Sequence, residues 1–334
     1  MRVLQLTSSY PRFEGDASGV FIGDLVDALV GAGVDVHVVA PGDPLTVPDE
    51  RVRWFRYGPV PLAHRGGLLQ TARGWRLVLV PGFLVSFWWA ARQEVRRLRP
   101  DVVHAHWWFP AGLVAALLGV PFVLTLHGSD VHIARGPLRP LYRWVAGRAA
   151  VVAAVSEALA RESGVEAVLR MPVTVEEQLL DEAPLPVRVV AVGRNSPEKG
   201  FDLLRDLGVP VDIYGVGTES LPGGHGAVTR DELVDALAKA HALVVPSRRE
   251  GLGLVAIEAL ALGRPVIATR VGGLVETVED GVDGILVPPD DAVALRAAVR
   301  RLPLPRPRAS AVAKHRPTEV AARHLDAYVS ARRS

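Results

Sequence analysis

The chain has 334 residues, 49% of them hydrophobic, with no cysteine and a formal net charge of +2. This excludes a disulfide scaffold and a thiolate metal cage, suits a reducing and hence cytoplasmic compartment, and offers nucleic acid no basic block to bind. The length suits two domains better than one, each able to bury its own core.

The start, MRVLQLTSSYP, has few apolar residues and an early Pro11, so it reads as a first strand and not as a signal peptide. A loop with Gly15 and Gly19, an amphipathic run and the β-branched VDVHVVAP then complete a βαβ opening. The uncharged run 77–91 contains Pro81 and falls short of the roughly 20 residues a spanning helix needs. Next, FLVSFWWAARQEVRRLRP sets Phe83, Phe87, Trp88 and Trp89 beside Arg92, Arg96, Arg97 and Arg99. That pattern fits a helix lying on an anionic membrane; it also fits a half-buried helix with aromatics in the core and arginines in water, the reading preferred here.

The alternation continues with DVVHAH as a strand, AGLVAALLG as a helix, PFVLTLHG as a strand, and AAVVAAVS as a strand leading into a helix. Strands alternating with helices imply a parallel sheet covered on both faces. His104 and His106 share one face of their strand, but no third ligand has metal spacing, and sheet packing or acceptor lining is the better account. After Val173 the polar, acidic, proline-bearing TVEEQLLDEAPLPV reads as an interdomain hinge.

From Val187 the pattern restarts as VRVVAVG, a helical stretch, VPVDIYGVG, a helix around ELVDALAKA, ALVVPS, a helix from about Gly253, RPVIATRVGG and GILVPP. LPLPRPRAS is a proline-rich connector, and PTEVAARHLDAYVSARR is a helix with Pro317 in its first turn. The expected domains are 1–175, 176–315, and a terminal helix 316–334 that packs back on the first.

The chemistry concentrates in PSRREGLGLVAIEALALGRPVIA, where a strand closes at Val245, 246–253 form a loop and a helix follows. Free amides at a helix start, with the macrodipole behind them, attract phosphate; Gly251 and Gly253 let the backbone approach it, and Leu252, Gly253, Leu254 and Val255 would supply the amides. Glu250 in the loop and Glu258 in the helix stand at two depths, which suits two polyol groups. An isolated pair of glutamates is more often solvated surface, but Glu258 sits in apolar sequence with no other charge before Arg264, and a charge there needs a partner.

In VGRNSPEKGFDLL a strand end is followed by Gly193, Arg194 and Lys199, two cations at the carboxyl edge of the second sheet. A planar fork and a point charge together can neutralise a pyrophosphate leaving group, although a strand-ending Arg and a loop Lys are also common surface residues. DIYGVGTES has Gly215 and Gly217 but Ser220 in place of the third glycine of a dinucleotide fingerprint. His127 ends the strand of LTLHGSDVH, where open parallel sheets place ligand residues, though a lone histidine there is commonly structural.

The run PSxxEGxGLxxxEAxAxGxPVIAxxxGGxxE resembles the family 4 retaining glycosyltransferases, which have the GT-B fold, and the likeness continues through Val271, Gly272, Gly273 and Glu276. The resemblance is specific over 194–289 and elsewhere lies in rhythm and short phrases. It implies an α/β chain of two Rossmann-like domains with parallel sheets facing across a cleft, the donor held by the second and the acceptor by the first. Glu250 would contact the donor sugar, Glu258 the ribose, and His127 the sugar as the family's strand-end histidine does. GRNSPEKG looks like the family's GRxxxxKG element, and Gly215 and Gly217 like its nucleotide-side turn, with GAVTRDELVDAL passing near the base. The N-terminal loop departs from the commoner paired-glycine form, leaving Gly19 as the amide for the diphosphate.

The expected activity is retaining, metal-independent transfer of a hexosyl group from a UDP- or GDP-sugar to a glycan, lipid-linked or small-molecule acceptor, with no cofactor. The absence of a D-x-D triplet points the same way, with cations doing the work of a metal. The alternatives are a sugar-nucleotide epimerase or phosphorylase of the same fold and a non-catalytic sugar-nucleotide binder, against which the intact Glu250, Arg194 and Lys199 argue.

Overall fold

The computed structural model describes residues 1–16, 18–58, 74–175 and 186–333. The chain divides into two compact units, Met1–Pro172 together with Pro317–Ser334, and Val173–Arg316. The greater part of the segment read as a hinge, 176–185, lies outside the described residues.

The first unit opens with β1 (Arg2–Leu6), α1 (Val20–Gly31), β2 (Asp35–Pro41) and β3 (Val52–Phe55), followed by α2 (Val80–Leu98) and β4 (Val102–His106). It continues with β5 (Phe122–Leu126), α3 (Ser129–Arg135), α4 (Arg139–Ala146), β6 (Val151–Ala154), α5 (Glu157–Ser163) and β7 (Ala167–Val168). All seven strands pair in parallel in the order β3-β2-β1-β4-β5-β6-β7, so the order reverses between β1 and β4. Every residue of β4 and β5 is buried, as strands covered on both faces require.

Two local expectations change. In 111–119 only Leu113–Ala115 is α-helix, because Trp107 takes a φ of 67° and a wide turn over Trp108–Gly112 uses up the start of the run. In α2, Phe83 and Phe87 are fully buried and Phe87 stacks on Phe55 at 4.7 Å, while Val85 and Trp89 are 65% and 55% exposed. Burying each phenyl ring contributes roughly 1.5–3 kcal/mol, so the aromatic core holds α2 in place. Among the described residues no helix is long and apolar enough to cross a membrane.

The second unit runs β8 (Val189–Val192), β9 (Val211–Tyr214), β10 (Gly224–Gly226), α6 (Arg230–Lys239), β11 (Ala242–Val245) and α7 (Leu254–Ala261). There follow β12 (Val266–Thr269), α8 (Leu274–Thr277), β13 (Gly284–Val287) and α9 (Ala292–Val299). Six strands pair in parallel in the order β10-β9-β8-β11-β12-β13, so the order reverses between β8 and β11. The helical stretch expected after β8 is two 3-10 turns, Pro197–Lys199 and Phe201–Leu204, the second burying Phe201 and Leu204 against Val189, Ile213 and Val299.

The last helix, α10 (Pro317–Arg333), belongs to the first unit, where it packs on α1 and on β4, β5 and β6 with His324 and Tyr328 wholly buried. Both units are thus Rossmann-like, each with one switch point, and ligands of such sheets collect beyond the carboxyl ends of the strands there.

Candidate active site

In the second unit the loops leaving β8 and β11 flank the switch point. β11 ends at Val245, and Gly253 enters α7 in the left-handed region with no side-chain cap. The amides of Leu252, Gly253, Leu254 and Val255 donate to none of the described residues, which leaves the helix start able to receive an anion. Glu250 lies just before these amides. Its Oε2 accepts from Lys199 Nζ at 2.6 Å and from Ser247 Oγ at 3.3 Å, while Oε1 has no hydrogen bond among the described residues.

Three features hold this arrangement. The Lys199 stem crosses the face of Gly193, where a Cβ would stand 3.2 Å from Lys199 Cδ and Cε. Arg248 ties the β11 loop to the β8 loop: its guanidinium reaches Pro197 O at 2.7 Å, Asp202 at 2.7 Å and Asp290 at 2.6 Å, and its amide donates to Glu198 O at 2.7 Å. These half-exposed ion pairs add about 0–1 kcal/mol each, so what they chiefly provide is position. Gly272, with φ at +50°, passes so close that a Cβ would lie 1.8 Å from Glu250 O.

Glu258 lies farther along α7 and is half-buried, with Arg230 of α6 at 3.4 Å from its Oε1. Arg194 is exposed and has no ion pair or hydrogen bond among the described residues. The amides of Gly193 and Gly215 are engaged, donating to Tyr214 O at 2.9 Å and Gly226 O at 2.7 Å, whereas Gly217 opens the turn Thr218–Ser220. A cavity of about 480 Å³ lined by Asn195, Pro197, Asp202 and Arg248 includes neither Lys199 nor Glu250; the switch-point geometry, not that cavity, locates the candidate chemistry.

In the first unit, His127 leaves β5 at its carboxyl end. Its Nε2 lies 3.1 Å from Nδ1 of His106, whose Nε2 lies 2.7 Å from Oε1 of Gln5, and its ring stands 4.6 Å from Trp107 and 5.4 Å from Phe21. Burial, with a smaller contribution from His324, pushes its pKa down to about 3, so the ring is neutral. Asp130, pushed up to about 6 by burial against the pull of its backbone hydrogen bonds, accepts from the amides of His127 at 3.1 Å and Gly128 at 3.0 Å. Gly19 caps α1 with φ at 67°, and the preceding Ser18 amide is already held by Asp16 at 3.1 Å.

Residues 18–164 match the model of Glycosyltransferase Family 4, and residues 151–303 that of Glycosyl transferases group 1. The chain is 33% identical, over 90% of its length and 89% of the relative's, to a putative teichuronic acid biosynthesis glycosyltransferase, TuaC of Bacillus subtilis. It belongs to glycosyltransferase family 4. This glycosyltransferase is also 29% identical to glycogen synthase of Mycobacterium tuberculosis, over 90% of this chain and 85% of that one. Its fold is that of Anabaena Alr3699/HepE in complex with UDP-glucose, with a TM-score of 0.67 and 20% identity over 100% and 97% of the two chains. It is likewise that of sucrose-phosphate synthase from Thermosynechococcus elongatus, at a TM-score of 0.67 and 22% identity over 99% and 96%. The fold class expected from the sequence, an α/β chain of the GT-B kind with two Rossmann-like domains, is therefore the one observed.

Within this family 4 enzyme the structure joins Lys199 to Glu250 and sets both beside Leu252, Gly253, Leu254 and Val255; it leaves Arg194 separate and places Gly19 and His127 in the first unit. Sequence reasoning missed Arg230, which provides the partner that the half-buried charge of Glu258 demanded, and Arg248, whose signal was only a basic pair ahead of Glu250. It also missed Trp107 and Phe21 around His127. Trp107 is held at a φ of 67° just beyond β4, strain of the kind functional sites tend to store, and the sequence marked it only by the doubled aromatics after DVVHAH.

Proposed function

We propose that this glycosyltransferase moves a hexosyl group, with retention and without a metal ion, from a UDP- or GDP-sugar to a glycan or lipid-linked acceptor. The observation that carries the reading is the Lys199–Glu250 pair at the uncapped start of α7, a cation and a carboxylate side by side next to free amides. The amides and Lys199 suit the diphosphate, whose charge grows as the glycosidic bond breaks. Arg194, an unpaired cation among the described residues, suits the same charge. The open Oε1 of Glu250 suits a sugar hydroxyl, and Glu258 the ribose. Gly251 lets the backbone approach, Gly217 serves the nucleotide side, Gly19 offers a further amide to the diphosphate and His127 meets the sugar. UDP-glucose in Alr3699/HepE supports a uridine donor, and the assignment of TuaC to teichuronic acid biosynthesis supports a polysaccharide or glycolipid product. A cytoplasmic site of action accords with a chain free of cysteine, and the exposed Val85 and Trp89 of α2 accord with contact to an anionic membrane.

The test begins with a thermal-shift screen of UDP- and GDP-sugars, because a ligand bound only by the folded state raises the melting temperature. The stabilising donor is then incubated with oligosaccharide and lipid-linked acceptors, and the anomeric configuration of the product is read by NMR. Retention of configuration in the presence of a chelator is expected. Inversion, or activity that a chelator abolishes, overturns the mechanism; no stabilisation by any nucleotide sugar overturns the donor class.

A further inference from the structure

In the first unit α3, α4 and α5 border a cavity of about 440 Å³, within the roughly 300–1,000 Å³ usual for small-molecule sites. Its floor is apolar, formed by Val131 and Ala134 of α3, both buried. The α4 side carries Arg139, Tyr142 and Arg143, at spacings that put all three on one face of the helix. Arg139 and Arg143 are exposed, and neither guanidinium has an ion pair or hydrogen bond among the described residues. Arg148, by contrast, lies over the Trp144 ring at 3.9 Å. The surrounding sequence supplies no counter-charge: residues 131–156 hold four arginines and no Asp or Glu. Burial, with the charge of Asp130 adding to it, raises the pKa of Tyr142, so its hydroxyl stays protonated and can donate. That hydroxyl also has no partner among the described residues. The α5 side is opposite in kind. Ser163 Oγ gives its one hydrogen to Leu159 O at 2.6 Å, so it can only accept, and Glu162 beside it is a carboxylate.

We infer that this cavity binds a soluble sugar phosphate or polyol phosphate, with the phosphate against Arg139, Arg143 and Tyr142 and the hydroxyls against Ser163 and Glu162. Two guanidinium forks supply the planar, paired donors that phosphate oxygens take, and a monoester, close to doubly charged at neutral pH, matches both. A bare anion satisfies only the α4 side and meets the Glu162 carboxylate on the other, whereas a sugar phosphate donates its hydroxyls there. The phosphodiester of a membrane lipid carries one charge and leaves one of the two guanidinium groups unmatched. None of the residues bordering the cavity has a part in the donor contacts proposed for this chain, so this is a second site whose occupancy does not depend on transfer.

Isothermal titration calorimetry of the full chain with glucose 6-phosphate, glucose and inorganic phosphate tests this, in a Lys199→Ala background that weakens the anion site of the second unit. Glucose 6-phosphate is expected to bind roughly tenfold or more tightly than inorganic phosphate, and glucose alone not detectably. Arg139→Gln and Arg143→Gln, both at exposed positions, should each weaken glucose 6-phosphate by about tenfold, the loss of one charge-assisted contact. Ser163→Ala should narrow the gap between glucose 6-phosphate and inorganic phosphate without abolishing the binding of either. Equal affinity for those two ligands overturns the inference, as does an affinity for glucose 6-phosphate that neither arginine variant changes. Failure to bind glucose 6-phosphate also overturns it. Should the chain then float with phosphatidylglycerol vesicles in a manner that needs Arg139 and Arg143, the anion is a membrane lipid instead.

Discussion

Lys199 Nζ donates to Oε2 of Glu250 across 2.6 Å, joining the first loop of the second unit to the loop that opens α7. Neither side chain is free to act alone: a diphosphate that draws Lys199 toward itself loosens Glu250, and a sugar that engages Glu250 must do so mainly through Oε1.

Lys199→Ala, Glu250→Ala and Arg194→Ala should each lower kcat/KM by about 10²–10³, the usual loss when one stabiliser of developing charge is removed. Lys199 and Glu250 share a bond, so the double variant should lose less than the two single losses combined, whereas Arg194 has no such partner and should add fully to either. Steady-state kinetics of the single and double variants measure this. Full additivity of the first pair would mean that their contact has no part in transfer.

Arg230→Ala removes a cation that lies 3.4 Å from Oε1 of Glu258 and leaves that half-buried carboxylate to its other polar contacts. If Glu258 holds the ribose, Glu258→Ala should raise the donor KM by roughly tenfold with little change in kcat, the mark of uniform binding. Arg230→Ala should have a smaller effect in the same direction. A fall in kcat at constant KM in Glu258→Ala would place that carboxylate at the reacting bond instead.

Much of this was legible in the sequence because it is local. Apolar β-branched runs such as ALVV and VIAT announce buried parallel strands, and a strand, a glycine-bearing loop and a helix within one short stretch announce an anion site. What was hidden depends on distant pairings. Arg248 meets Asp202 and Asp290, and Gln5 meets Tyr328 from the opposite end of the chain; neither contact leaves a periodic trace. The helix expected over 111–119 failed for a different reason, since a single backbone reversal at Trp107 overrode a favourable pattern.

Gly272→Ala should cost roughly 3 kcal/mol or more, because it adds strain at φ +50° and drives a methyl group to 1.8 Å from the carbonyl oxygen of Glu250. Gly281→Ala is the comparison, with φ at +80° but nothing within 4 Å of its would-be Cβ, so only the backbone term of about 1 kcal/mol applies. Denaturant unfolding of both variants separates close approach from φ alone. Equal losses would mean that the 270s loop moves away from Glu250 at little cost.

His324 gives the first unit a definite pH dependence. Burial, opposed by a hydrogen bond with Val320 O, brings its pKa down from 6.5 to about 4. The unfolded chain therefore binds a proton that the folded chain does not, and stability present above the unfolded value is lost as pH falls toward the folded one. Between pH 7 and pH 5 this single group should cost about 2 kcal/mol. His104 and His106, shifted in the same direction by burial, steepen the fall. His324→Leu removes the titration and also a buried Nε2 that has no hydrogen-bond partner among the described residues. The variant should match or exceed wild-type stability at pH 5 and show a shallower dependence, measured by urea unfolding at the two pH values. An unchanged slope would mean that the imidazole accepts a proton in place, through a rearrangement of α10 that gives Nε2 a partner.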